Sequence, residues 1–143
     1  MEKDARRRLE DVLDREIEVA RSLAVTLAAE RAALTGDSPA AVEEKAAEKI
    51  RILETIEKLE AERRALYVLP GGPGLAATVA ERWRALMELM AGCRTANEIN
   101  GHIIHVRQHQ IGQLIDIVRG GPAFTYGPQG KTFARALRAL ARA

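Results

Sequence analysis

Three histidines, His102, His105 and His109, have the spacing of side chains that share one face of a helix. Imidazoles within about 60° of one another on a helix could bind Zn²⁺, Ni²⁺ or Cu²⁺. No Cys, Asp or Glu lies on the same short face, and the three positions point away from the apolar seam of that helix. We therefore predict no metal and no cofactor, and keep a metal-binding helical bundle as the less favoured alternative.

The single cysteine, Cys93, is the other candidate for chemistry. A catalytic thiol needs a neighbouring base and a lowered pKa, whereas Cys93 shares an apolar seam with Met90, where burial would raise its pKa. Paired carboxylates such as Glu43 and Glu44 lie on charged helix surfaces. The glycines of residues 71–74 lack the strand and the Gly-Lys-Ser/Thr ending of a phosphate loop. We predict that the protein is not an enzyme.

Composition limits the class of protein. Aromatic residues make up 3% of the 143 residues and charged ones 29%, a balance that favours long helices in one domain. Residues 119–143 carry five basic and no acidic side chains, so the remaining 17 basic and 20 acidic ones give residues 1–118 a net charge of −3. This division argues against a nucleic-acid surface over the whole chain. With one cysteine and no uncharged run that could span a bilayer, we expect a cytoplasmic protein without an integral membrane segment.

The helices that position these residues can be inferred from apolar side chains that recur at spacings of four and three residues. The pattern predicts helices over about 2–35, 39–67 and 75–119. Gly36 and Ser38-Pro39 separate the first two helices by a short turn, which predicts an antiparallel hairpin. The Pro-Gly-Gly-Pro-Gly run of residues 70–74 is the clearest break before the third helix.

The third helix carries an unusually regular seam, which is apolar in its first half and mixed in its second. Its positions are Val79, Trp83, Leu86, Met90, Cys93, Asn97, Asn100, Ile104, Arg107, Ile111, Leu114 and Val118. The polar positions are typical either of a core whose asparagines specify register, or of a groove that stays open until another helix completes it. We favour the open groove, because three helices of unequal length leave the end of the third unmatched.

The predicted fold class is all-α. An antiparallel helical hairpin packs on a long third helix, so that residues 1–119 form a three-helix, coiled-coil-like bundle. Residues 120–143 form a flexible or short-helical C-terminal tail, in which Phe133, Leu137 and Leu140 have helical spacing. A helix this short needs a partner surface.

Two sequence elements resemble those of a known family. Residues 97–104, Asn-Glu-Ile-Asn-Gly-His-Ile-Ile, resemble the Asn-x-x-Asn-Gly-x-Ile/Leu-Ile element of FlgN-like flagellar type III export chaperones. Residues 125–130, Thr-Tyr-Gly-Pro-Gln-Gly, are similar to the Tyr-x-x-x-Gly element that follows the last long helix of that family. Residues 49–53 and the Arg63-Arg64 pair fit the family pattern in a more generic way.

The resemblance implies a cytoplasmic chaperone without catalytic activity. It would bind C-terminal helical segments of flagellar hook–filament junction proteins, prevent their premature assembly and deliver them to the export gate or ATPase complex of the type III apparatus. Tyr126 would contact the export gate or clamp the client. The expected client contacts are Asn97, Asn100, Ile103, Ile104, Arg107, Ile111, Leu114, Ile115 and Val118. The main alternative is a structural coiled-coil homo-oligomer whose seam is filled by its own copies.

Overall fold

The computed structural model describes residues 2–68 and 76–120. They form three helices, α1 (Glu2–Thr35), α2 (Pro39–Val68) and α3 (Ala77–Val118), and no strand occurs in these two ranges. The predicted all-α class and the three-helix arrangement are confirmed. The division into a bundle and a tail stays a prediction, because residues 121–143 lie outside the described ranges. No helix among the described residues combines the length and apolarity needed to cross a membrane.

The turn between α1 and α2 follows from its residues. Gly36 comes directly after the last residue of α1, and its N–H donates to the carbonyl of Ala33 at 3.1 Å. Ser38 then caps α2, since its Oγ accepts the N–H of Ala41 at 3.2 Å. Pro39 occupies the first helical position, where its missing N–H leaves no hydrogen bond unmade.

The central element of the fold is α1. It packs against α2 in antiparallel orientation, as the Arg15–Glu62 and Glu30–Lys49 ion pairs show. It packs against α3 in parallel orientation, since Glu10 meets Thr78 near one end and Leu27 meets Asn100 further along. Over the described residues, no Cα atom of α2 lies within 8 Å of a Cα atom of α3. The helices α2 and α3 therefore flank α1 and leave a gap between them.

Two apolar clusters hold the helices together, and both are centred on α1. The first lies towards the start of α1 and α3 and the second about two turns further along. The first comprises Leu9, Leu13, Ile17, Ala20, Val79 and Leu86, with Leu66, Ala76, Leu89 and Met90 packed around it. The second comprises Leu23, Leu27 and Cys93, with Ile52, Ile56 and Ala96 packed around it.

From Val79 to Asn100, every seventh residue of α3 faces α1. Val79, Leu86, Cys93 and Asn100 are all buried, as the heptad spacing predicts. After Val118 the helix ends because Gly120 adopts a φ of 99°, a left-handed conformation that only glycine enters at little cost. Its N–H donates to the carbonyl of Ile117 at 3.2 Å and thereby satisfies one of the last carbonyls of the helix.

Candidate functional site

Asn100, which the resemblance places in the client-binding set, lies inside the fold with 1% of its surface exposed. Its Nδ2 donates to the carbonyl of Leu27 at 2.9 Å and to Oε1 of Glu30 at 2.8 Å. Its Oδ1 accepts a hydrogen bond from Nε of Arg31 at 3.1 Å. The side-chain amide therefore uses its hydrogen-bonding groups on α1, and Asn100 is not available to a partner molecule.

A buried ion pair extends this contact to α2. Nζ of Lys49 lies 2.9 Å from Oε2 of Glu30, and both side chains are almost fully buried. The same Nζ donates to Oδ1 of Asn97 at 3.3 Å. We call Glu30, Arg31, Lys49, Asn97 and Asn100 the polar layer, because these residues connect all three helices at one level of the bundle.

The polar layer selects one arrangement of the helices. An apolar heptad seam packs almost equally well after a shift of seven residues, whereas a buried carboxylate, ammonium and amide must meet their partners. Displacing α3 by one heptad would take the amide of Asn100 away from Glu30 and bring Cys93 or Arg107 to that level, according to the direction of the shift. Of the two interpretations of the polar seam, register specification therefore describes Asn100.

A second three-helix contact lies nearer the start of α1. Nε of Arg63 donates to both carboxylate oxygens of Glu16, at 3.2 and 3.0 Å, and the guanidinium carbon lies 4.6 Å from the ring centre of Trp83. Burial raises the pKa of Glu16 above its ordinary value, and the charge of Arg63 offsets part of that rise. Stacking on Trp83 adds a cation–π contact between α2 and α3.

Between these two contacts, the gap between α2 and α3 forms a groove of about 390 Å³. Leu23 and Leu27 of α1 form its floor. Its walls are Lys49 and Leu53 of α2 and Met90, Cys93, Arg94 and Asn97 of α3. The Sγ of Cys93 is 3.6 Å from the carbonyl of Ala20, its side chain is 3% exposed, and burial raises the pKa of the thiol. The packed thiol predicted from the seam is confirmed.

The face of α3 that α1 covers continues past the end of α1. Nη2 of Arg107 donates to the carbonyl of Gly36 at 3.4 Å, which marks the level of the α1–α2 turn. Beyond it, a row of apolar residues that we call the distal stripe follows the same seam. It comprises Ile111, Leu114, Ile115 and Val118. Leu114 is 61% and Val118 86% exposed, whereas Ile111 and Ile115 are partly buried. Asp116 in the same segment is buried, so the segment is not exposed on every side.

The remaining predicted contacts fall into different environments. Ile104 is only 8% exposed and completes the face of α3 that meets α1, so it shares the structural role of Asn100. Asn97 is exposed apart from its bond to Lys49, and Ile103 and Arg107 are partly buried. The predicted contact at Tyr126 lies outside the described residues. The sequence interpretation of one continuous open groove over residues 97–118 therefore needs correction, because α1 closes the seam at Asn100 and Ile104.

Sequence reasoning missed Glu30 as a partner of Asn100, and Lys49 as the partner of Glu30 and Asn97. The sequence did indicate both residues, because each is a charged residue within an otherwise apolar helical stripe. Glu30 follows Leu27 in the stripe of the first helix, and Lys49 follows Ala46 in that of the second. The three histidines are exposed on the surface of α3. Within residues 2–68 and 76–120, no group of three or more His, Cys, Asp or Glu residues is arranged to hold a metal ion.

A helical scaffold that ends in an exposed apolar stripe offers a surface on which an amphipathic helix could pack. A comparison with protein-family models matches residues 1–133 to the FlgN protein family. The chain belongs to the FlgN family and is a flagellar export chaperone, from a family of chaperones rather than of known enzymes. Neither the curated proteins nor the solved structures contain a match to this chain.

Proposed function

We propose that this chaperone acts in the cytoplasm on the hook–filament junction proteins of the flagellum. It binds their C-terminal helical segments, prevents their premature assembly and delivers them to the export gate or ATPase complex of the type III apparatus. Membership of the FlgN family supports the general role. The observation that carries the proposed binding site is the exposure of Leu114 and Val118, in the distal stripe beyond the end of α1.

The proposed mode of binding follows from the course of α1. Up to Gly36, α1 covers the seam of α3, and beyond that residue the seam continues without α1. A client helix that lies along Leu114 and Val118 would occupy the path that α1 would take if it were longer. The contact would then repeat the helix packing already present in the bundle, with client side chains at spacings of three and four.

The residues at the near end of the distal stripe have a secondary part in this proposal. Arg107 is partly buried beside the α1–α2 turn and offers guanidinium donors to polar groups at the end of a client helix. Ile103 and Asn97 would be reached only by a client that extends past this turn. Asn100 and Ile104 support the surface from within the bundle. We retain Tyr126 as the proposed contact with the export gate or as a clamp on the client.

The test replaces Leu114 and Val118 together by Asp. Both side chains are largely exposed, so the change should leave the helicity and unfolding temperature close to those of the wild type. Burial of an exposed Leu or Val in an interface contributes about 1.5–3 kcal/mol, so the loss of two such contacts should weaken client binding at least 100-fold. Titration calorimetry with a C-terminal junction-protein segment measures the effect.

The matched control is Val25→Asp, because Val25 is an exposed apolar residue on α1. We expect its client affinity to equal that of the wild type. Equal affinity of the Leu114→Asp/Val118→Asp protein would exclude the distal stripe as the binding site. Substitution of Ile104 by a charged residue is unsuitable for this purpose, because Ile104 is buried and its loss would unfold the local packing.

A homo-oligomer that buries the distal stripe against a second copy is the competing account. Light scattering over a dilution series separates the two. If the protein is monomeric at the concentrations of the calorimetric experiment, the distal stripe is accessible to clients. If instead a dimer persists on dilution and the Leu114→Asp/Val118→Asp change breaks it, the distal stripe serves self-association.

A further inference from the structure

The helices α2 and α3 contact each other only through side chains over their described residues. Both pack closely on α1, yet none of their described Cα atoms approach within 8 Å of each other. Among the described residues, side-chain bridges from Lys49 to Asn97 and from Arg63 to Trp83 span the gap instead. We call these bridges the latches. They are separated by 14 positions along α2, which corresponds to about 21 Å of helix.

We infer that α2 is a movable element, and that its displacement from α3 across the two latches opens the groove over Leu23, Leu27 and Cys93 while α1 and α3 stay packed. This motion is a property of the fold itself, and it does not depend on where a client binds.

The chemistry of the latches supports this assignment. Lys49 and Arg63 each keep a carboxylate partner on α1 when a latch is broken, Glu30 in the first case and Glu16 in the second. Opening therefore leaves neither cation without a counter-charge. Asn97 is exposed and Trp83 is 36% exposed, so part of both side chains is already hydrated in the closed form. Where α2 faces α3, opening therefore breaks side-chain contacts such as the two latches and no close approach of the helix backbones, while Ile52, Ile56 and Leu66 keep α2 packed towards α1.

The α1–α3 contact lacks these properties. It contains the heptad positions Val79, Leu86 and Cys93 buried against α1, and Asn100 makes hydrogen bonds only to α1. Separating α3 from α1 would expose both apolar clusters. Local opening of the bundle should therefore occur between α2 and α3 before it occurs between α1 and α3.

Cys93 provides a built-in reporter, because it is the only cysteine of the chain and lies in the wall of the groove. In the closed form it is buried and its pKa is raised, so both access and thiolate formation are suppressed. An aromatic disulfide reagent should react with it only in the open form. The rate of reaction, measured by the absorbance of the released thiolate, then reports how often the groove opens.

The experiment compares the wild type with Asn97→Ala, which removes the acceptor of the first latch. Loss of one hydrogen bond to a charged donor corresponds to a roughly 5-fold or greater increase in the labelling rate. Labelling through local opening should be almost independent of urea at low concentration, whereas labelling through global unfolding rises steeply with urea. Trp83→Leu, which removes the second latch, should behave in the same way.

The matched control is Asp14→Asn, which removes the ion pair of 2.8 Å between α1 and Arg82 of α3. We expect its labelling rate to stay within twofold of the wild type. An equal acceleration in Asp14→Asn and Asn97→Ala would overturn the inference, since Cys93 would then be exposed by movement of α3. An unchanged rate in both latch variants would overturn it as well, and so would labelling whose urea dependence equals that of global unfolding.

Discussion

Replacement of Asn100 by Ala tests the structural role of the polar layer. The change removes a donor from the carbonyl of Leu27 and from Oε1 of Glu30, and it removes the acceptor of Arg31 Nε. A buried polar group left without its partner costs about 1–3 kcal/mol. Arg31 is only partly buried and can turn to water, so the two acceptors dominate. We expect a loss of about 3 kcal/mol in the free energy of unfolding, or about 10 °C in the unfolding temperature.

The control for this prediction is Asn97→Ala, which makes the same change of residue type three positions earlier in α3. It brings the same gain in helix propensity, so the difference between the two variants isolates the buried network. Asn97 is exposed and forms one hydrogen bond of 3.3 Å to Lys49, so its loss should lower the free energy of unfolding by about 1 kcal/mol.

The assay is urea unfolding followed by circular dichroism, with client affinity measured in parallel well below the unfolding temperature. We expect Asn100→Ala to lose stability and keep the client affinity of the wild type. Equal stabilities of the two alanine variants would refute the assignment of Asn100 to the core. A folded Asn100→Ala protein that no longer binds clients would show that the amide contacts the client after all.

Two further predictions concern the helices themselves. An added Cβ at Gly101 would meet no atom within 4 Å, so Gly101→Ala should raise the free energy of unfolding by about 0.5–1 kcal/mol. Gly120→Ala should lower it, because the backbone of Gly120 has a φ of 99°. The opposite order of the two variants in thermal unfolding would contradict both predictions. The pKa of Glu16 is raised in the folded state, which means that folding disfavours the ionised carboxylate. The resulting stability is fully present below the ordinary carboxyl pKa of 4.5 and is lost as the pH rises through the folded-state pKa. The stability of the wild type relative to Glu16→Gln should therefore decline as the pH rises above 4.5, and an increase with pH in urea titrations would show that Arg63 outweighs the effect of burial.

The local features of the fold could be predicted from the sequence. Gly36 and the Ser38-Pro39 pair mark the turn because glycine ends helices and a capped proline begins them. The heptad from Val79 to Asn100 identified the face of α3 that is buried. These signals act over a few residues, and the chain carries each of them in one short segment.

The arrangement of the helices could not be predicted in the same way. The parallel course of α3 along α1, and the gap between α2 and α3, depend on which polar and charged residues meet across separations of 19 to 70 positions. Asn100 illustrates the limit, since its heptad position is equally suited to an open groove and to a closed core. Only the contacts of Asn100 with Leu27, Glu30 and Arg31 of α1 decide between them. The end of α1 then determines where the open part of the seam begins.

The central claim is that clients bind α3 beyond the end of α1. Hydrogen exchange of the backbone amides, measured with and without a C-terminal junction-protein segment, tests it most directly. We expect new protection in residues 109–118 and unchanged exchange around Val79 and Leu86, which are already covered by α1. Protection that appears on α1 or α2 and leaves residues 109–118 unchanged would contradict the account.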